Sequence, residues 1–234
     1  MKHADYLSQS ASFPKIRRYL SETDPCNVLL AAQKVFRVSC MFVGKCLGCP
    51  VYCCKNLEEI WMFNIKKDSL PKISHLPKLK SVSFRSIEDN ILESMDNLPN
   101  LKELFGASVE LPTLDGIEKL PSLVTVNLNN NETIDISSVA SLPNLEGLFV
   151  RETDLDDISV ITEMPWLKSV DVSFNRLMTL PKLKPGNDLR RIDFSDNPIE
   201  AISPEVLASY SSVRKSAYNT PFYQSLTHEQ RRAF

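Results

Sequence analysis

Six cysteines crowd the early part of the chain: Cys26, Cys40, Cys46, Cys49, Cys53 and Cys54. The run Cys46-x2-Cys49-x3-Cys53-Cys54 puts thiols at metal-ligand spacing, yet tetrahedral zinc sites draw ligand pairs from separated segments. Reduced thiols are the better reading in a chain whose first residues carry no apolar run long enough for an export signal. The three histidines, His3, His75 and His228, are too scattered to assemble a nucleophile, a base and an orienting acid. No glycine-rich phosphate loop, His-Glu-x-x-His or EF-hand pattern occurs. The acidic stretch Asp154-Leu155-Asp156-Asp157 lacks the glycine and distal glutamate of a calcium loop and reads as a solvated turn. Asn131-Glu132-Thr133 matches a glycosylation acceptor, which carries no weight without an export signal. The chain is therefore expected to be no enzyme and to hold no metal or cofactor.

Recognition chemistry remains. Trp61, Phe63, Phe105, Phe149 and Phe174, with Arg85, Arg151 and Arg191, belong to the residue types that dominate protein interfaces. Whether they reach a surface depends on the elements that carry them, and a repeat sets those elements. The frame Leu-x-x-Leu-x-Leu is filled by Leu57-Ile60-Met62, Leu79-Val82-Phe84, Leu101-Leu104-Gly106 and Leu123-Val126-Leu128. It continues at the same constant step through Leu145-Leu148-Val150, Leu167-Val170-Val172 and Leu189-Ile192-Phe194. A second ladder keeps the same period: Leu76-Pro77, Leu98-Pro99, Leu120-Pro121, Leu142-Pro143 and Met164-Pro165. The triplet Val35-Val38-Cys40 is expected to begin the series one step earlier, with Cys40 serving as a small apolar residue.

Two columns locked to a period within about 20 to 29 residues carry the signature of leucine-rich repeats. From about residue 35 to 221 the chain resembles that family, in its 22-residue class, which includes bacterial internalin-like and secreted-effector proteins and intracellular phosphatase-regulatory subunits. The family's asparagine ladder is present at Asn131, Asn175 and Asn197, whereas Ile65, Ile87, Val109 and Thr153 hold the equivalent places. The resemblance implies an α/β fold: a right-handed horseshoe solenoid with about eight short parallel strands on its concave face. The organisation expected is a helical N-terminal cap over 1–34, repeats over 35–212 and a short helical C-terminal cap over 213–234. Asp24-Pro25 and Thr227-x-x-Gln230 are helix-start signals in those caps, and Ser203-Pro204-Glu205 is another where the period breaks ahead of the C-terminal cap.

Alternation along a strand sends every second residue outward. One outward column then reads Ser39, Trp61, Ser83, Phe105, Asn127, Phe149, Asp171, Asp193, and the next reads Met41, Phe63, Arg85, Ala107, Asn129, Arg151, Ser173, Ser195. Phe174 lies one residue beyond the second. Rings on such positions are not needed by the core, so Trp61, Phe63, Phe105, Phe149 and Phe174 are expected to contact a partner, with Arg85, Arg151, Asp171, Asp193 and Arg191 supplying charge. Eight strands at ~4.8 Å make a groove of roughly 35 Å, suited to a folded domain or a long loop of another protein.

A net charge of -2 with 24% charged residues gives no case for nucleic acid. No stretch approaches ~18 uninterrupted apolar residues, so no membrane partner is expected. The expectation is a cytoplasmic protein, monomeric on its own, that binds another protein. The resemblance to effectors extends this to a virulence factor in a host cytoplasm that covers or regulates a partner enzyme. A regulatory or targeting subunit of a phosphatase-like enzyme is the alternative, and an enzyme with an unrecognised site is a third.

Overall fold

A computed structural model of the chain describes residues 37–41, 56–65, 73–87, 90–107, 109, 113–131 and 134–234. The expected helical cap over 1–34 and Cys26, Cys46, Cys49, Cys53 and Cys54 lie outside these residues. The strands are β1 (Arg37–Met41), β2 (Glu59–Ile65), β3 (Ile73–Ser74), β4 (Ser81–Ile87), β5 (Met95–Asp96) and β6 (Glu103–Ala107). They continue with β7 (Thr125–Asn127), β8 (Gly147–Phe149), β9 (Ser169–Asp171), β10 (Arg191–Asp193) and β11 (Arg214–Ser216). Nine of them form one parallel sheet in the order β1-β2-β4-β6-β7-β8-β9-β10-β11, while β3 and β5 pair beside it on the return side.

The sequence period becomes the sheet register. Ile60 pairs with Val82, Val82 with Leu104, Leu104 with Val126 and Val126 with Leu148, so each pairing step is one period of the leucine frame. The inward residues of every repeat therefore stack on their counterparts, and Leu57, Leu79, Leu101, Leu123, Leu145 and Leu167 are all buried. The leucines of the Leu-Pro turns, Leu76, Leu98, Leu120 and Leu142, close the core from the return side. Parallel strands need such crossovers, and several here hold a single 3-10 turn, as at Ile91–Ser94, Ser137–Ser141 and Ser159–Glu163. Side chains start these turns: Asp135 and Asp157 accept from the Ser137 and Ser159 amides, each at 2.8 Å.

Where one repeat is oversized its neighbour is small. A Cβ on Gly106 would lie 2.5 Å from the buried Phe84 ring, so the absent side chain is the space that ring fills.

Two polar ladders tie the turns together. Asn131, Asn175 and Asn197 are buried and donate to carbonyls of their own repeat and of the repeat before. Their carbonyl oxygens accept from the Val109, Thr153 and Leu177 amides respectively. Thr153 and Thr220 stand in the same column and donate instead to Val150 O and Ala217 O, each at 2.8 Å. At the opposite edge Asn100, Ser122 and Asn144 donate to Pro77 O, Pro99 O and Pro121 O, and Trp166 to Leu142 O. These bonds help to satisfy the carbonyls of irregular turns, where backbone donors are few.

A ninth strand, β11, continues the sheet beyond the leucine frame, its register step lengthened by a single position relative to the others. Its inward residue is Lys215, level with Ile192. The ammonium donates to Tyr210 O and Val213 O at 3.1 and 3.0 Å and sits 5.3 Å from the Phe234 ring centroid. A lysine in the inward column blunts the sheet edge against further strand addition. Three short helices belong to this last part of the chain. Pro204–Ser209 is capped by Ser203, Pro221–Ser225 by Thr220, and His228–Ala233 by a reciprocal capping box of Thr227 and Gln230. Phe234 then packs on Phe194 and Phe222, with ring centroids 6.3 and 5.8 Å apart.

Candidate interaction face

The open face of the sheet is ordered by the same register as its core. Trp61 pairs with Ser83, Ser83 with Phe105, Phe105 with Asn127, Asn127 with Phe149, Phe149 with Asp171 and Asp171 with Asp193. Trp61 is 42% exposed, while Phe105 and Phe149 are half-buried and belong to no part of the core. The Phe149 ring is partly covered because it leans along its own strand over Gly147, where a Cβ would meet its Cε2 at 3.0 Å. In that column Thr125 and Ser169 flank Gly147, so only β8 offers a bare backbone bed for a ring. Phe63 lies in the second column between Met41 and Arg85.

Arg85, Arg151 and Arg191 are exposed. Arg191 is level with Ser169 and makes long contacts of 3.3–3.4 Å to its hydroxyl. Arg151 is held differently: its guanidinium lies 4.3 Å from the centroid of the Phe174 ring, a cation–π stack between adjacent repeats. Phe174 has φ 57 and is 44% exposed. Its backbone belongs to a series, since Ser86, Asn130, Glu152, Asp196 and Asn219 are also left-handed just before the ladder position. At these six places the chain leaves its strand through this one residue, which turns the next side chain into the ladder. A phenylalanine tolerates the conformation poorly and costs about 1–3 kcal/mol there, and its ring is thrown outward.

Asp171 and Asp193 are half-buried neighbours on β9 and β10. Asp171 accepts from the Ser173 amide at 3.0 Å and hydroxyl at 2.7 Å, and Asp193 from the Ser195 amide at 3.0 Å. Each carboxylate thus spends one oxygen on the turn that ends its strand, and among the described residues neither forms an ion pair.

Two large exposed residues escaped the reading of the sequence. Tyr218, 64% exposed, extends the second outward column past Ser195, and Met178, 59% exposed, sits on the turn after the Asn175 ladder residue. Tyr218 was hidden by the lengthened last step, while a lone methionine in a turn carries no signal. Other groups are absorbed by structure. Asp154 pairs with Arg176 at 2.7 Å, Asp157 caps a 3-10 turn, and Asn131 is buried inside the ladder. His75 is exposed on a return turn with its Nδ1 4.0 Å from Asp96, and His228 opens the last helix. His3 lies outside the described residues. Among the described residues no three His, Cys, Asp or Glu gather as a metal ion would require, and no helix is long and apolar enough to cross a membrane.

No family model matches the chain, and no curated protein aligns with it. Solved structures do. A leucine-rich repeat protein of Leptospira interrogans superposes with a TM-score of 0.64 at 19% identity, over 86% of this chain and 59% of that one. TLR13, solved with ssRNA13, superposes at 0.67 and 18% identity, over 84% of this chain and 30% of its own. An internalin, inlF, of Listeria monocytogenes superposes at 0.50 and 17% identity, over 88% and 74%. The chain thus spans 59% of the Leptospira protein and 30% of TLR13. At these identities the likeness is one of fold, and the fold is the leucine-rich repeat solenoid, whose strands line the concave face.

Proposed function

We propose that the chain is a non-catalytic protein-interaction module that grips a partner protein with the concave face of its sheet. The observation that carries this reading is the column Trp61, Phe105 and Phe149, three large rings on positions the core does not use. A surface left to water gains nothing from them, whereas a partner buries them at about 25 cal/mol per Å2. The scaffold is stacked on buried leucines and asparagine ladders, so little conformational entropy is lost on binding. Arg85 and Arg151 lie toward one edge, and Asp171 and Asp193 toward the C-terminal end. Charges so arranged set register and association rate more than affinity. The likeness to bacterial internalin-like proteins supports a bacterial effector, monomeric on its own, that covers or regulates a partner enzyme in a host cytoplasm.

Affinity capture with the wild type and with a Phe105→Ala, Phe149→Ala double variant tests the reading. Each ring is expected to contribute about tenfold in affinity, so the double variant loses the wild-type partner while its circular dichroism is unchanged. Equal capture by both proteins would move the contact off this face.

A further inference from the structure

We infer that the central column of the concave face is a cradle for an extended, proline-rich segment in the polyproline II conformation, with a basic residue at the end lying over β9 and β10. This rests on the reading of that face as a binding surface and adds which kind of chain it binds.

The spacing of the rings is the first argument. Trp61, Phe105 and Phe149 occupy β2, β6 and β8, and one strand, β4 or β7, separates each from the next. At ~4.8 Å per strand the rings recur at about 9.6 Å, twice in succession. The intervening residues, Ser83 and Asn127, are shorter, so the column alternates ring and notch. A polyproline II chain repeats every three residues, about 9.3 Å, and stays in step across both intervals. A β-strand presents one face every ~6.8 Å. An α-helix returns to the same face after seven residues, about 10.5 Å, and is out of step by nearly 2 Å at the third ring.

The polar groups fit the same occupant. A polyproline II segment has no internal hydrogen bonds, so its carbonyls accept from a receptor. Asn127 uses its Oδ1 to accept from the Asn129 amide at 3.2 Å, and among the described residues its Nδ2 makes no hydrogen bond. That amide lies in the notch between Phe105 and Phe149, where such a carbonyl would pass. Preformed segments of this kind also lose little entropy when they dock on aromatic ridges.

Charge sets the direction. Beyond Phe149 the same column continues as Asp171 and Asp193, carboxylates directly opposite on neighbouring strands. Like charges so placed are destabilising, and a basic residue of the partner would lie between them.

The test is fluorescence anisotropy with three labelled peptides. One has four Pro-Pro-Leu triplets ending in two arginines, the second ends in two glutamines instead, and the third is an alanine-based helix with the same arginines. The Arg-ended proline peptide is expected to saturate the full chain and the helical peptide is not. Phe105→Ala and Phe149→Ala should each weaken it about tenfold. The pair Asp171→Asn and Asp193→Asn should weaken the Arg-ended peptide about fivefold and leave the Gln-ended one unchanged. The proposal is overturned if neither proline peptide saturates at millimolar concentration, if the helix binds as well, or if both ring variants bind like wild type. Should the proline peptides fail while partner capture still depends on Phe105 and Phe149, this inference falls and the binding face stands. If capture is also indifferent to the rings, both fall.

Discussion

Asn175→Ala is expected to lower the stability of the chain by about 3–5 kcal/mol, measured as a fall in the midpoint of urea unfolding. The residue is buried, and its Oδ1 accepts from the Thr153 and Leu155 amides, both at 3.0 Å, with the Thr153 hydroxyl oxygen alongside. Its Nδ2 donates to Val150 O at 2.8 Å and Val172 O at 2.9 Å. Alanine deletes these partners at once and leaves two amides without an acceptor inside the turn. Each orphaned buried group costs about 1–3 kcal/mol, and a repeat that cannot close its turn also loses its neighbour's support. Thr153→Val removes only one hydroxyl from the same network and is expected to cost about 1 kcal/mol. A midpoint for Asn175→Ala no lower than that of Thr153→Val would show that the ladder does not hold the turns.

Alkaline pH is expected to unfold the chain through Tyr210. The side chain is fully buried and donates to Pro181 O at 2.8 Å, and burial pushes its phenol well above the ordinary value of 10. The folded state keeps a proton that the unfolded chain releases, so the stabilisation is complete below pH 10 and is lost as pH rises further. The loss steepens toward about 1.4 kcal/mol per pH unit once the unfolded phenol is ionised, or about 2 kcal/mol between about pH 10 and 12. Lys215 acts oppositely, because burial lowers its ammonium from 10.5 and the folded state sheds that proton first. Its contribution therefore rises with pH and is complete once the unfolded lysine titrates, leaving the tyrosine dominant above that point. Tyr210→Phe should cost about 1 kcal/mol at neutral pH and show a flatter decline above about pH 10, read from unfolding midpoints at each pH. A decline as steep as that of the wild type would place the alkaline sensitivity elsewhere.

Much of this architecture was legible because one requirement repeats. A stacked strand must put an apolar side chain at each inward position, so Leu57 through Leu189 announce the register, and the register then assigns Trp61, Phe105, Phe149, Asp171 and Asp193 to one outward column. Features that depend on a relation between repeats, not on identity within one, were not legible. Phe149 is half-buried because residue 147 is glycine, and Phe174 holds Arg151 because its left-handed backbone throws the ring sideways. The donors at the Leu-Pro edge, Asn100, Ser122, Asn144 and Trp166, share a role across three side-chain types. β11 was hidden by its lengthened step and by Lys215, which breaks the apolar column where the sheet ends.

Everything proposed about function depends on the ring column meeting another molecule. Hydroxyl-radical footprinting of the chain alone and with its captured partner reads that contact side chain by side chain. The account predicts that Trp61, Phe105 and Phe149 lose reactivity in the complex while Met178, exposed on a turn beyond the sheet, stays as reactive as in the isolated chain. Protection of Met178 with all three rings unchanged would contradict it.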